Sequence, residues 1–270
     1  MSEIKGSVAV ITGAGSGIGR ALAQEMASRG AQLALADVNA ATLEETRKLL
    51  QGSSVRTYVL DVGDAPAVEK FAADVQRDFG RASLLVNNAG VALYGTFAEL
   101  SVSEMDWLMR INFWGVVHGC KFFLPLLMRE PEARIVNISS IFGLIAPAGQ
   151  SAYASSKYAI RGFSECLREE LRGTSVKVTC VHPAGIATRI AANGRAGAAT
   201  KSEDQAHARE RFAQVAVIPP QEAARVIVQG VFADKDRVLI GKLAYGFDYL
   251  QRLFPVRASK IISAWINKRG

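Results

Sequence analysis

The chain has 270 residues, 49% hydrophobic and 21% charged, the balance of an ordinary soluble globular protein with a substantial core. Its net charge of +7 gives little reason to expect nucleic acid, because the excess sits at the end: Arg252, Arg257, Lys260, Lys268 and Arg269 meet no acid from Tyr249 onward. Cys120, Cys166 and Cys180, an odd count without CxxC spacing, point to buried free thiols in a reducing compartment, and the isolated His118, His182 and His207 indicate no metal site.

Residues 1–7 lead almost directly into an apolar strand, with no basic region, long apolar run and cleavage site. No run of about 18 apolar residues occurs anywhere, and the expectation is a cytoplasmic protein. Residues 7–11 form the first strand and run into Thr12, Gly13, Ala14, Gly15, Ser16, Gly17, Ile18 and Gly19. Ile18, Leu22 and Met26 then recur at helical spacing until Gly30. Further strands are predicted over 32–36, 55–60, 84–87, 134–138, 176–181 and 237–240, with helical patterns between them. Such strands, read as continuous apolar runs alternating with helices, imply one doubly wound α/β domain of Rossmann type, about seven parallel strands covered on both faces. A helix is expected from Ser103 to about Leu127, kinked or ended by Pro125. Residues 186–217, Ala-rich with a charged helical stretch at 203–211, read as a lid.

A glycine turn between strand and helix lets backbone approach a pyrophosphate, whose charge is stabilised by the unpaired N–H groups of the helix. Here it follows a strand, and Asp37 ends the next one, which indicates dinucleotide binding. The Asp37 carboxylate accepts from ribose hydroxyls and repels a 2′-phosphate, favouring NAD over NADP, although Arg20 stands near in sequence. An N-cap role for Asp37 is the structural alternative. Tyr153 and Lys157 are four apart, so on a helix they share a face, and the ammonium favours the phenolate. The same spacing is also a common helical coincidence.

Together with the glycine turn, Asp61, Asn87-Asn88-Ala89-Gly90, Asn112, Ser140, Tyr153 with Lys157, and Pro183-Ala184-Gly185 followed by Thr188 stand in the order and approximate spacing of the short-chain dehydrogenase/reductase family, classical type. The chain resembles that family over most of its length. The resemblance implies a hydride-transferring oxidoreductase acting on a secondary alcohol or ketone. It makes Gly13, Ser16, Gly17, Ile18, Gly19 and Asp37 cofactor contacts, sets Asp61 and Val62 against adenine, and lines the cofactor with Asn88, Ala89 and Gly90 while Asn87 braces the sheet. Pro183, Ile186 and Thr188 would hold the nicotinamide. Tyr153 would be the acid/base, Lys157 would tune it and bind the nicotinamide ribose, and Ser140 would position the substrate oxygen, its neighbour Ser139 being the rival. Asn112 would hold a water that relays protons from Lys157, with a satisfied core asparagine as the alternative.

The sequence departs from the family's usual Asn-Pro-Gly at His182-Pro183-Ala184-Gly185, leaving the local backbone less predictable. His182 is set aside as a base because Tyr153 fills that role. Selectivity is expected from residues 91–97, 141–150 and the lid, with Phe142, Leu144 and Ile145 either shaping an apolar pocket or simply packing. The tail over 247–270 places Leu250, Phe254, Ile261, Ile262, Trp265 and Ile266 at helical spacing among basic residues. It reads as a subunit contact first and as a peripheral membrane contact second. The family implies a homodimer or homotetramer. An NADP-preferring ketoreductase and a cofactor-binding regulatory protein without turnover are the alternatives in function.

Overall fold

The computed structural model describes residues 4–258 and 260–262. Seven strands form one all-parallel sheet: β1 (Val8–Thr12), β2 (Gln32–Asp37), β3 (Val55–Val59), β4 (Leu84–Asn87), β6 (Ala133–Ile138), β7 (Val176–Pro183) and β9 (Arg237–Ile240), in the order β3-β2-β1-β4-β6-β7-β9. The strand order reverses between β1 and β4, and at such a switch point the carboxyl ends of the strands open a ligand crevice. The central strands are buried on both faces because helices cover both, which is why they read as unbroken apolar runs.

On one face α1 (Gly17–Ser28) and α8 (Pro220–Phe232) pack Leu22, Met26, Ile227 and Val228 against Ile11, Leu33 and Val181. On the other, α3 (Ala65–Phe79), α5 (Gly115–Leu127) and α6 (Ser151–Glu170) pack Phe71, Phe123 and Ile160 against Val10, Leu85 and Ile135. Helix α2 (Ala40–Lys48) is capped by Asn39, whose side chain accepts from the Thr42 N–H at 3.1 Å, so the cap is Asn39 and not Asp37.

Three features differ from the sequence expectations. The long helix from Ser103 is α4 (Val102–Met109), a π-helical turn (Arg110–Trp114) and α5, and Pro125 lies near the end of α5. The π turn centres on Asn112, whose amide is drawn out of the helix frame to pair with the Val91 backbone. The second difference is a two-stranded ladder of β5 (Leu93–Tyr94) and β8 (Arg195–Ala196), which ties the predicted lid to the loop after β4. The lid also carries α7 (Ser202–Val215), which buries no side chain. The third concerns the thiols: Cys120 and Cys180 are buried, but Cys166 is exposed on α6. After β9, α9 (Lys242–Leu253) begins the tail, of which Trp265 and Ile266 lie outside the described residues.

A buried polar ladder runs across the sheet. Asn87 of β4 donates to Asn137 of β6 at 2.9 Å, and Asn137 donates to Ser164 of α6 at 3.0 Å. Asn87 thus braces the sheet, and Gly119 of α5 leaves it room, since a Cβ there would lie 2.1 Å from Asn87 Oδ1.

Candidate active site

The glycine turn is held from both sides at the carboxyl end of β1. Thr12 Oγ1 accepts from the N–H groups of Asn88 (3.0 Å) and Ala89 (3.1 Å), while the Asn88 amide donates to the carbonyls of Thr12 and Gly13. Gly13 has φ +66°, and a Cβ there would lie 2.8 Å from the Ala89 Cα, so both conformation and space demand glycine. Sequence reading paired these two loops only by resemblance; the structure clasps them together through Thr12.

Ser16 begins α1 without capping it through its side chain, and the first turn carries no acid. Its N–H groups therefore present an anion-binding end. Beside them lies a cavity of about 390 Å³ bordered by Ser16, Gly17, Gln24, Thr188 and Arg189. Asp37 stands at the end of β2 with Oδ2 accepting from Gly15 N–H (2.8 Å) and Oδ1 from Asn39 N–H (2.9 Å), which fixes the carboxylate at the crevice. Arg20 bonds the Gly15 and Thr42 carbonyls, the Thr46 hydroxyl and the Glu45 carboxylate, so its guanidinium is committed. Asp61 accepts from Gly63 N–H at 2.8 Å and pairs with Arg110 at 3.3 Å, and the carbonyl of Val62 meets His118 Nδ1 at 2.9 Å. Arg110 and His118 carried no local signal in the sequence, because both reach this corner from another element. A glycine cradle, an uncapped helix start and a carboxylate at the adjoining strand end fit a dinucleotide.

Ser140 follows β6 and caps a short 3₁₀ turn (Ile141–Gly143), accepting from Phe142 N–H at 3.2 Å. Its side chain acts to lower the pKa of the Tyr153 phenol, and the Phe142 ring stands edge-on to the Tyr153 ring at 6.0 Å. Ser139 points away and donates to the Lys157 carbonyl at 2.8 Å, so of the two serines Ser140 faces Tyr153. Lys157 is 3% exposed, donates to the Ile138 carbonyl at 3.1 Å and lies 5.6 Å from the centroid of the Tyr153 ring. Burial pushes the Lys157 ammonium down to about 8 and the Tyr153 phenol up to about 12, the latter opposed by the Ser140 side chain. The expected lowering of the phenol is thus reversed: desolvation dominates, while the ammonium is bonded to the Ile138 carbonyl and lies 5.6 Å from the centre of the ring. Gly90 permits this crowding, since a Cβ there would come within 3.2 Å of Asn112 Oδ1 and 3.5 Å of Lys157 Nζ.

Asn112 is fully buried and its amide is used by protein: Oδ1 accepts from Val91 N–H (2.8 Å), and Nδ2 donates to the Val91 carbonyl (3.0 Å) and the Ser156 hydroxyl (3.2 Å). Its side chain therefore fastens the loop after β4 to α6.

The departure at residues 182–185 is absorbed locally. Ala184 continues the pairing of β7 by donating to the Ile240 carbonyl, and Gly185 then turns at φ +66° with the Val215 carbonyl 2.3 Å from where a Cβ would be. Ile186 bridges to Ile218, which returns Thr188 to the glycine turn: a Cβ on Gly17 would lie 3.1 Å from its Cγ2. His182 is fully buried, and Nδ1–H donates to the Ser140 carbonyl at 3.0 Å while Nε2 has no hydrogen-bond partner among the described residues. Burial drives its pKa down to about 4. An unfolded imidazole takes a proton near pH 6.5 that the folded one refuses until about pH 4, so His182 should withdraw roughly 1–3 kcal/mol of stability as pH falls through that window. Melting curves at pH 7 and pH 5 test this. The drop in Tm should shrink in His182→Asn, and an equal drop in both proteins would contradict it.

Comparison with known proteins agrees with this fold. The family model described as short chain dehydrogenase matches residues 7–199. A Mycobacterium tuberculosis protein described as oxidoreductase SadH is 42% identical over 273 residues, covering 99% of this chain and 98% of that protein. Mouse dehydrogenase/reductase SDR family member 7B is 33% identical over 269 residues, covering 95% and 83%. Among solved structures, a short chain dehydrogenase/reductase from Burkholderia phymatum in complex with NAD superposes with TM-score 0.87 at 31% identity, covering 94% of this chain and 95% of that one. A short-chain dehydrogenase from Streptomyces avermitilis gives TM-score 0.81 at 28% identity over 98% of both.

Proposed function

The chain belongs to the short-chain dehydrogenase family, an oxidoreductase family served by nicotinamide cofactors, and from that premise we propose that it interconverts a secondary alcohol and a ketone with NAD(H), using Tyr153 as acid and base. The observation that carries the reading is the grouping of Tyr153 with Ser140, whose side chain acts on its phenol, and with the buried Lys157 ammonium 5.6 Å from the ring. When bound, the nicotinamide supplies the hydride chemistry. Gly13, Ser16, Gly17, Ile18, Gly19, Asp37, Asp61, Val62, Asn88, Ala89, Gly90, Pro183, Ile186 and Thr188 would hold the cofactor.

A substrate oxygen between Ser140 and Tyr153 would meet two hydroxyl groups. In reduction Tyr153 gives its proton to the ketone oxygen, and Ser140 donates a hydrogen bond to the same oxygen. A phenol held near 12 carries that proton at neutral pH, which suits the acid role. In oxidation Tyr153 takes the hydroxyl proton, and positive charge must first bring the phenol down; Lys157 supplies charge within the chain and would also bind the nicotinamide ribose. Asn112 positions Lys157's surroundings through Ser156 and Val91 rather than through an open amide. Phe142, with the loop over residues 91–97, would face the substrate. The 186–217 segment, tied to that loop by β5 and β8, would close over it. Exposed Trp114, stacked on His118 where the π turn passes into α5, supports a homodimer or homotetramer built on this side.

Three facts favour NAD over NADP: the fixed Asp37 carboxylate, the exposed and uncharged Val38, and the committed Arg20. A carboxylate about 4 Å from a phosphate costs about 1 kcal/mol per charge pair in water and more in a crevice. Dissociation constants read by nicotinamide fluorescence should therefore favour NADH over NADPH by roughly 10- to 100-fold. Asp37→Ala should narrow that gap to a few-fold. A panel of secondary alcohols and ketones followed at the nicotinamide absorbance tests turnover itself. Equal binding of both cofactors would favour the NADP-preferring alternative, and binding without turnover across the panel would favour a regulatory protein.

A further inference from the structure

We propose that the outer face of α9 and the turn after it dock the protein on an anionic membrane surface. The helix has two faces of different use. Leu243, Phe247 and Leu250 face inward and pack with Leu144, Ile145, Leu239, Ala258 and Ile262. Tyr245, Tyr249 and Leu253, spaced four apart, form one outward stripe and are 59%, 67% and 52% exposed. Phe254, Val256 and Ile261 continue this exposed apolar surface beyond the helix.

Charge frames the stripe. Lys242, Arg252, Arg257 and Lys260 are exposed around it. Asp248 is the one acid between Lys242 and Ile262, and it is gripped by Arg237 through two hydrogen bonds of 2.9 and 2.6 Å as well as by Arg252 at 3.2 Å. The face is therefore apolar at its centre and cationic at its rim.

A second copy is the poorer occupant. Across a two-fold axis a patch meets itself, so cations would face cations with only the engaged Asp248 between them. A bilayer interface offers both things this face lacks. Anionic headgroups take Lys and Arg, and the boundary below them takes Leu, Phe and Val, while Tyr suits the level between. No described helix is long and apolar enough to cross a membrane, which fits a helix lying on the surface. This inference does not depend on the reaction proposed above.

The test is co-sedimentation of the full chain with vesicles of phosphatidylcholine alone and with about 30% phosphatidylserine added. Partition to the anionic vesicles should be at least about tenfold stronger, and should fall about tenfold in high salt and in Arg257→Glu/Lys260→Glu. Tyr245→Ser/Tyr249→Ser should lose a similar factor at low salt, because apolar insertion is lost with charge unchanged. Unaltered NADH affinity in each variant verifies folding. Equal partition to both vesicle types, or variants that bind as wild type does, would overturn the proposal. A change in native mass in the tyrosine variant, with no vesicle binding by wild type, would overturn it in favour of a subunit contact.

Discussion

Tyr153→Phe is expected to lower turnover by roughly 100- to 10,000-fold, the range that positioned proton transfer contributes, while the NADH dissociation constant stays within about threefold. The substitution removes one oxygen and little else. The ring keeps its edge contact with Phe142 and its packing beside Leu93 and Leu108. What disappears is the phenol that Ser140 acts on and the proton itself. Stopped-flow reduction of a ketone identified in the panel measures the chemical step, and fluorescence titration measures the cofactor. Activity within tenfold of wild type would end the assignment of Tyr153 as acid and base.

Lys157→Met is expected to damage binding and chemistry together, with the NADH dissociation constant rising at least about tenfold and kcat falling at least about a hundredfold. Methionine fills much of the space without an ammonium. It leaves the Ile138 carbonyl without its partner, which costs about 1–3 kcal/mol of stability, so melting must be measured beside activity. The two effects are separable by pH. Burial holds the wild-type ammonium near 8, so its charge is present below that pH and lost above it. NADH affinity of the wild type should therefore weaken as pH rises through about 8, whereas the affinity of Lys157→Met should stay flat across the same range. A parallel decline in both proteins would remove Lys157 from the ribose contact.

What the sequence disclosed about this site followed from how locally each signal was written. The glycine turn, Asp37 and the Tyr153–Lys157 spacing each lie within one strand, turn or helix, and their geometry follows from the period of that element. The seven strands were legible for the same reason, as apolar runs between turns. The π turn at Asn112 was not, because it answers to the Val91 backbone some twenty residues earlier. The β5 and β8 strands are two residues each, too short to show alternation. The direction of the Tyr153 shift was also hidden: spacing places an ammonium beside a phenol, but only the three-dimensional fold reveals how much water both have lost. His182, set aside as a base, is a buried donor holding the carbonyl of Ser140. Its departure from the usual asparagine still supplies an N–H at that point.

The polar ladder from Asn87 through Asn137 to Ser164 makes the placement of the α6 helix a yes-or-no matter. Ser164 lies on the helix that carries Tyr153 and Lys157 and keeps its own bond to the Ile160 carbonyl, so sliding that helix by one turn would strand the Asn137 amide N–H in the core, at about 1–3 kcal/mol. Intermediate placements are correspondingly scarce. A core substitution that weakens the protein should then reduce the number of competent molecules without degrading the aim of those that remain. Measured per folded molecule, such a variant would work at full speed; measured per milligram, it would look like a poor enzyme.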